Sequence, residues 1–184
     1  MSYPIHTLKH EHRVIEQALR ALDGICKRSS SGERIPSEVL SRLLEFIRTF
    51  ADAFHHGKEE KHFFPALERK GIVRGGGPLE MMEREHEIER RLVGELSRDI
   101  KAYEMAAPGS WEHFVQTSIL FIELLTGHIQ REDQVLFRIA EAMLDESDND
   151  SLSSAFRHFE AEIGRDVLEN CEHTAAELER AWAT

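Results

Sequence analysis

The sequence predicts an all-α protein, and three observations support this class. Apolar residues recur at the three- and four-residue spacing of helices, the alternating β-branched runs typical of strands do not occur, and Gly, Pro and Ser clusters separate the helical stretches. Four long helical stretches with short to moderate connections predict an up-down-up-down four-helix bundle with an additional C-terminal helix. We predict that residues 1–148 form the bundle and that residues 149–184 form the appended helix, packed on the same domain.

The composition narrows the classes of partner. A chain of 184 residues is long enough for one domain with a substantial core. Its formal net charge of −11 argues against nucleic acid or an anionic membrane as the main partner. The N-terminus has no apolar signal core and no window approaches about 18 uninterrupted apolar residues, so we expect a soluble cytoplasmic protein. Cys26 and Cys171 show no zinc-type spacing and are predicted to be inert.

The first helix is predicted from about Pro4 to about Ile25, because proline suits a first turn and Gly24 with the polar stretch after it marks an end. Its apolar side is formed by Ile5, Leu8, Ile15, Leu19 and Leu22. His12 occupies the one position of this spacing that is not apolar, and it is therefore predicted to lie on the buried side of the helix.

The second helix is predicted over about residues 36–64, and Pro65 is expected to kink or stop it. At about 100° per residue, His55 lies at the edge of the apolar face and His56 lies nearly opposite its centre. His55 is therefore the better inward candidate. The alternative is His56 with Glu60, which has the same spacing one residue later and is otherwise interpreted as an outer or surface pair.

The third helix is predicted to begin at Pro78 and to end at the breaker of residues 106–110. His86 occupies its buried seam, while Glu89 on the same seam is expected near Arg90 or solvent. The fourth helix is predicted over about residues 111–144. Its buried seam is predicted to comprise Phe121, Leu125, His128, Glu132, Val135, Ile139 and Ala142.

The remaining residues are predicted to add a loop and one further helix. The acidic residues 145–151 are interpreted as a loop, and a fifth helix over about residues 152–182 is predicted as an extra packing or dimer-contact helix, so a homodimer is an expectation. This helix carries two His-x-x-x-Glu pairs, at residues 158–162 and 173–177. Both lack further similarity to the motifs described next, and we interpret them as surface pairs.

An internal repeat is the strongest signal in the sequence. HHGKEEKHFFP begins at His55 and HIQREDQVLF begins at His128. Aligned, the two motifs place Glu59 on Glu132, four residues after each histidine. Residues four apart lie on the same side of a helix, so each motif directs one imidazole and one carboxylate the same way.

The convergence of these groups in a bundle core predicts a metal site. A buried ion costs several kcal/mol unless a partner compensates it, and metal ions would compensate all of these groups together. The candidate ligands are His12, His55, Glu59, His86, His128 and Glu132. Mixed nitrogen and oxygen ligands suit a pair of iron or manganese ions better than calcium or magnesium, and zinc also accepts them.

With these motifs, LKHEHRVI around His12 and GPLEMMEREHEIER around His86, about residues 5–145 resemble a hemerythrin-like (HHE cation-binding) domain. The resemblance implies a non-heme di-iron site inside a four-helix bundle. The four candidate histidines would be terminal ligands, and Glu59 and Glu132 would bridge the irons. Oxygen-carrying hemerythrins have a further histidine one turn after the third-helix ligand, and here that residue is Arg90. This departure leaves a coordination position for water, a substrate or another side chain, and it disfavours reversible oxygen carriage.

Three functional hypotheses follow. In the first, the protein binds or reacts with a small ligand (oxygen, nitric oxide or peroxide) at a carboxylate-bridged di-iron site, with no further general acid or base assigned. In the second, it is an iron-sensing or iron-handling module without catalysis, whose folded state depends on the metal. In the third, it is a structural helical bundle in which the histidines have packing roles. Whether the protein is an enzyme stays open at this point.

Overall fold

The computed structural model describes residues 3–30 and 33–183, apart from the side chain of Ser30. The helices are α1 (Tyr3–Ser30), α2 (residues 37–69), α3 (Pro78–Glu104), α4 (residues 110–143), α5 (Glu146–Ile163) and α6 (Arg165–Trp182). The described residues contain no strand. The predicted all-α class is confirmed. No helix within the described ranges is both long and apolar enough to cross a membrane.

Helices α1 to α4 form the bundle. Each packs against the next along the chain, and α4 packs against α1, which closes the ring. Helices α5 and α6 both pack against α1 and α2. The division of the chain at residue 148 into bundle and appended segment stays a prediction.

A layer of buried polar residues separates two apolar clusters of the core. The first cluster includes Leu22, Phe50, Leu96 and Phe121, and the second includes Leu8, Phe63, Met82 and Phe137. Along the chain, α1 passes from the second cluster to the first, α2 from the first to the second, and α3 and α4 repeat this alternation. Alternating helix directions produce such an order, and they bring the middle of every bundle helix into the polar layer.

Two bundle helices contain π-helical turns, in which the hydrogen bond spans five residues instead of four. In α2 these segments are Ile47–His56 and Glu59–Phe63, and in α4 the segment is Glu132–Leu136. The internal repeat is therefore also a structural repeat, because a π segment begins at the glutamate of each motif. Single π turns occur frequently at functional sites.

The π segment of α4 overturns part of the predicted seam. Val135 was predicted to be buried, but its side chain is 52% exposed, and Ala142 is exposed as well. Leu136 and Ala140 occupy the buried side instead. The extra residue in the π turn rotates everything after Glu132 relative to a continuous α-helix, so the α-helical period selects the wrong residues beyond that point.

One predicted helix end is also wrong, and Pro65 does not stop α2. Helix α2 continues through Pro65 to Arg69, with α-helical dihedral angles at Phe64, because proline lies in the first turn of the α segment that follows the π turn. Helix α1 continues past Gly24 to Ser30. A Cβ atom on Gly24 would lie 1.9 Å from the carbonyl oxygen of Trp182, so this glycine permits the close approach of α6.

The C-terminal region contains two helices instead of the one predicted, and they are separated at Gly164, whose φ of 101° favours glycine. The predicted acidic loop is mostly the first turns of α5. Asp145 caps this helix: its carboxylate accepts a hydrogen bond from the backbone N–H of Asp148 (3.0 Å), and the Asp148 carboxylate accepts one from the backbone N–H of Asp145 (2.9 Å).

Candidate metal centre

All six predicted ligands are buried in the polar layer and form two overlapping groups. Within each group, one ligand atom from every residue lies within 4.8 Å of the others. The His12 group consists of His12, His55, Glu59 and Glu132, and the His86 group consists of Glu59, His86, His128 and Glu132. Glu59 and Glu132 belong to both groups, which is the arrangement that two bridging carboxylates require.

Each shared carboxylate faces one histidine from each group. One oxygen of Glu59 is 3.7 Å from Nε2 of His55, and its other oxygen is 3.6 Å from Nε2 of His86. Glu132 Oε2 is 3.1 Å from Nε2 of His12 and 3.4 Å from Nε2 of His128. The four Nε2 atoms therefore surround the two carboxylates.

The other ring nitrogen of each of these histidines is held by a carboxylate outside the cluster. The Nδ1 pairs are His12 with Asp133 (2.8 Å), His55 with Glu11 (2.9 Å), His86 with Glu60 (2.7 Å) and His128 with Glu85 (2.9 Å). The four carboxylates in turn pair with Arg13, Lys58, Arg90 and Arg131. Carboxylate–histidine pairs of this kind orient metal-binding imidazoles.

The charge state of these outer carboxylates determines the histidine tautomers. Burial alone would raise their pKa values, but the hydrogen bonds with histidine and the neighbouring cations outweigh burial and hold each pKa below its usual value. An ionised carboxylate can only accept a hydrogen bond, so each Nδ1 carries the donated proton. In the neutral ring, the lone pair of Nε2 then points into the cluster.

Two buried residues that the sequence interpretation placed elsewhere also face the cluster. His56, interpreted as an outer or surface residue, is buried and stacks on His86 with ring centroids 3.8 Å apart. It shares a possible metal-binding group with His86 and His128. Glu89, expected near Arg90 or solvent, is buried with Oε2 3.4 Å from Nε2 of His56.

The π segment explains why His56 was missed. A continuous α-helix turns His56 away from the core, whereas the wider turns of Ile47–His56 bury both His55 and His56. Two features of the sequence could have indicated these buried residues: the pair of adjacent histidines, and the position of Glu89 on the buried seam of α3. Glu60, the alternative ligand, lies outside the cluster as the partner of His86.

Arg90 points away from the cluster. It donates hydrogen bonds to Asp52 and Glu60, each at 2.7 Å, and its side chain is 39% exposed. His56 from α2 lies beside His86 and His128 instead. The cluster therefore contains five histidines, although the fifth comes from a different helix.

Unpaired buried atoms show that the residues fit a metal. Buried polar atoms nearly always have a hydrogen-bond partner. Among the described residues, the atoms without one include Nε2 of His55, both ring nitrogens of His56, both oxygens of Glu59 and Glu89, and Oε1 of Glu132. These lone pairs converge in one layer, and cations would satisfy them together.

The pKa values of the cluster support the same conclusion. Burial and the nearby Glu132 raise the pKa of Glu59 well above its usual value, so the metal-free cluster resists carrying both negative charges. Burial and the neighbouring His56 lower the pKa of His86 to about 3. Burial also opposes the charge of His128, but Glu132 and Glu85 outweigh it and raise its pKa to about 9. The Nε2 atoms of His86 and His128 lie 3.2 Å apart.

The two remaining His-x-x-x-Glu pairs lie on the surface, as predicted. His158 is 3.4 Å from Glu162 on α5, and His173 is 3.1 Å from Glu177 on α6, with all four side chains exposed.

Cys26 and Cys171 are not joined by a disulfide. Burial raises the pKa of Cys26 to about 11, which keeps it a thiol.

The fold and the site define an all-α bundle with a buried cluster of histidines and carboxylates suited to binding metal. The family described as the hemerythrin HHE cation binding domain matches residues 3–140, and the chain belongs to this family. The resemblance inferred from the sequence motifs is thereby confirmed. No curated protein matches the chain. Family membership implies cation binding, and the His12 and His86 groups are where the cations would be held.

Proposed function

We propose that the cluster is a carboxylate-bridged, non-heme di-iron site that binds or reacts with a small ligand such as dioxygen, nitric oxide or peroxide. The observation that carries this proposal is the sharing of Glu59 and Glu132 between the two groups. A single metal ion would need only one group. Two groups with two carboxylates in common favour two ions side by side.

The number and type of ligands favour iron or manganese over zinc. The His12 group offers four residues, and the His86 group offers four, to which His56 and Glu89 are adjacent. Structural zinc sites are usually tetrahedral, whereas a two-metal site with five imidazoles and two or three carboxylates suits ions of higher coordination number. We propose iron because the chain belongs to a cation-binding family and because mixed nitrogen and oxygen ligands suit iron.

The small ligand is proposed to bind on the His12 side of the cluster. With His56 and Glu89 nearby, the His86 side can fill more coordination positions than the His12 side. Bound iron would supply an electrophilic, redox-active centre. The protein side chains hold the imidazoles in one tautomer through the outer carboxylates and exclude water, since every cluster residue is buried.

A second candidate, an iron-sensing module, is favoured by the unpaired atoms of the cluster. Because these atoms gain partners only when metal is bound, metal should stabilise the folded bundle strongly. A melting temperature that falls on chelation, in a protein whose loaded form does not respond to nitric oxide or peroxide, would support sensing over ligand chemistry. A purely structural role leaves the unpaired atoms unexplained.

The test of the metal site is Glu132→Ala, with Glu162→Ala as the matched control. Glu162 has the same spacing from a histidine but lies on the surface of α5. Both variants and the wild type are loaded with ferrous iron under anaerobic conditions and analysed for bound iron. We expect Glu132→Ala to lose most of its iron while the control retains it. Equal iron content in the two variants would overturn the bridging role.

Ligand chemistry is tested on the iron-loaded wild type. We expect oxo-bridged ferric absorption that changes on addition of peroxide, and a spectral response of the ferrous form to nitric oxide. An iron-loaded protein whose spectrum responds to neither compound would overturn the proposed reactivity while leaving the metal site intact.

A further inference from the structure

Lys58 is the only lysine or arginine among the described residues that is buried. A buried ammonium group costs several kcal/mol unless its surroundings compensate it. Its Nζ atom donates to Oε1 of Glu11 at 2.5 Å and to Oε1 of Glu160 at 2.8 Å. It also lies over the ring of Phe54, 3.9 Å from the ring centroid, and over Phe156 at 5.3 Å.

Lys58 connects a cluster histidine with α5. The second oxygen of Glu11 accepts the hydrogen bond from Nδ1 of His55, and Glu160 belongs to α5. We call His55, Glu11, Lys58 and Glu160 the Lys58 network. It leads from a residue of the His12 group, through α1 and α2, to a helix that lies outside the family match, which ends at residue 140.

The other three outer networks do not involve α5. Their cations are Arg13, Arg90 and Arg131, which belong to α1, α3 and α4 and have side chains 53%, 39% and 37% exposed. Each holds its carboxylate without help from the C-terminal region. The described structure thus makes only the His55 side of the cluster dependent on α5.

The packing of α5 over this part of α2 is close. A Cβ atom on Gly57 would lie 3.0 Å from the ring of Phe159, so the residue before Lys58 permits α5 to approach. The rings of Phe54 and Phe159 are stacked with centroids 6.5 Å apart. Phe156 is fully buried as a member of the second apolar cluster. This apolar contact excludes water from Lys58.

We propose that α5 is a working part of the metal centre: Glu160 fixes Lys58, Lys58 fixes Glu11, and Glu11 orients His55 for the metal on the His12 side. Glu160, Lys58 and Glu11 are positioning residues, since they act through His55. This inference rests on the cluster binding metal, as proposed above, but not on any reaction with a small ligand.

The coupling has to act in both directions. If docked α5 raises the affinity of the His12 side for metal, bound metal must stabilise the docking of α5 by the same factor. Loss of metal would then destabilise the packing of α5 more than that of α3. The α3 histidine, His86, is oriented by Glu60, whose cation Arg90 is partly exposed. Such a link would transmit metal occupancy to the C-terminal helices.

The test compares Glu160→Ala with Glu162→Ala. Both residues lie on α5, but the Glu162 side chain is 61% exposed and pairs only with His158 among the described residues. Ferrous iron affinity is measured anaerobically by competition with a chromophoric chelator. We expect Glu160→Ala to weaken binding about ten-fold, the lower end of the range for residues that orient metal ligands, and Glu162→Ala to leave it unchanged. Glu160→Gln, which keeps an oxygen acceptor for Lys58, should recover part of the loss.

Two further readouts separate positioning from a general loss of stability. In metal-free protein with ¹⁵N-labelled histidine, the wild type and Glu162→Ala should show His55 with its proton on Nδ1, and Glu160→Ala should show mixed tautomers at His55 but not at His86. In the wild type, iron should slow amide hydrogen exchange in α5. Equal iron affinities for the two alanine variants, or α5 exchange that does not respond to iron, would overturn the proposal. A protein that binds iron in this way but ignores nitric oxide and peroxide would contradict only the proposed reactivity.

Discussion

Two sets of residues each orient one cluster histidine, but in different surroundings. One is the Lys58 network, and the other consists of His86, Glu60 and Arg90. Both present a carboxylate to Nδ1 of a cluster histidine, at 2.9 Å for His55 and 2.7 Å for His86. Lys58 is fully buried, whereas Arg90 is 39% exposed. We therefore expect the two networks to differ in their contribution to the free energy of unfolding. An exposed charge pair stabilises a protein little, whereas a buried charge that loses its partner destabilises it strongly.

The difference also predicts how each network tolerates damage. Water can replace a lost partner at Arg90 but not at Lys58, which α5 covers. Removal of the Lys58 charge should therefore lower the free energy of unfolding much more than removal of the Arg90 charge. Three substitutions test this contrast.

Lys58→Met should have the largest effect. It leaves the Glu11 carboxylate buried without its cation, and removal of one partner of a buried pair costs about 3–5 kcal/mol. The free energy of unfolding of the metal-free protein, measured by equilibrium denaturation, should fall by that amount. The double variant Glu11→Gln/Lys58→Met removes both charges and should recover part of the loss. A cost under about 1 kcal/mol, typical of an exposed pair, would contradict the buried network.

Glu60→Gln should have an intermediate effect, and on metal binding more than on folding. Without the carboxylate, the ring of His86 loses its charged hydrogen-bond acceptor, and such changes lower metal affinity about 10–100-fold. Glu38→Gln, the same change at an exposed position in the first turn of α2, serves as the control in chelator competition with ferrous iron. Unchanged affinity for Glu60→Gln would show that His86 needs no orienting carboxylate.

Arg90→Met should have the smallest effect. Its pairs with Asp52 and Glu60 are partly exposed, so the free energy of unfolding should change by less than about 1 kcal/mol, and by less still at high salt. Denaturation at two salt concentrations measures this. A loss as large as that of Lys58→Met would remove the distinction between the two networks.

The sequence predicted the burial of the candidate ligands most reliably on the regular helices. His12 and His86 lie on α1 and α3, where the α-helical period holds, and both are buried as predicted. On α2 and α4 the π segments change the phase, which is why His56 was placed outside and Val135 inside. Hydrophobic periodicity alone does not show where a helix contains a π turn with one extra residue. In this protein the π turns lie at the cluster itself.

The start of α5 could have been predicted from the sequence, whereas the burial of Lys58 could not. The two aspartates that cap α5, Asp145 and Asp148, have the three-residue spacing of a capping box, so the start of this helix could have been predicted. The burial of Lys58 could not, because its partners lie 47 and 102 residues away along the chain. A lysine between two histidines and two glutamates resembles any solvated helix position until the tertiary structure supplies those partners.

Anomalous diffraction from crystals of the iron-loaded protein tests the central claim most directly. The account predicts two iron positions inside the polar layer, one beside His12 and His55 and one beside His86 and His128, with Glu59 and Glu132 between them. His56 should face the second position, and Lys58 should remain buried beneath α5. A single iron position, or iron bound away from both shared carboxylates, would contradict the account.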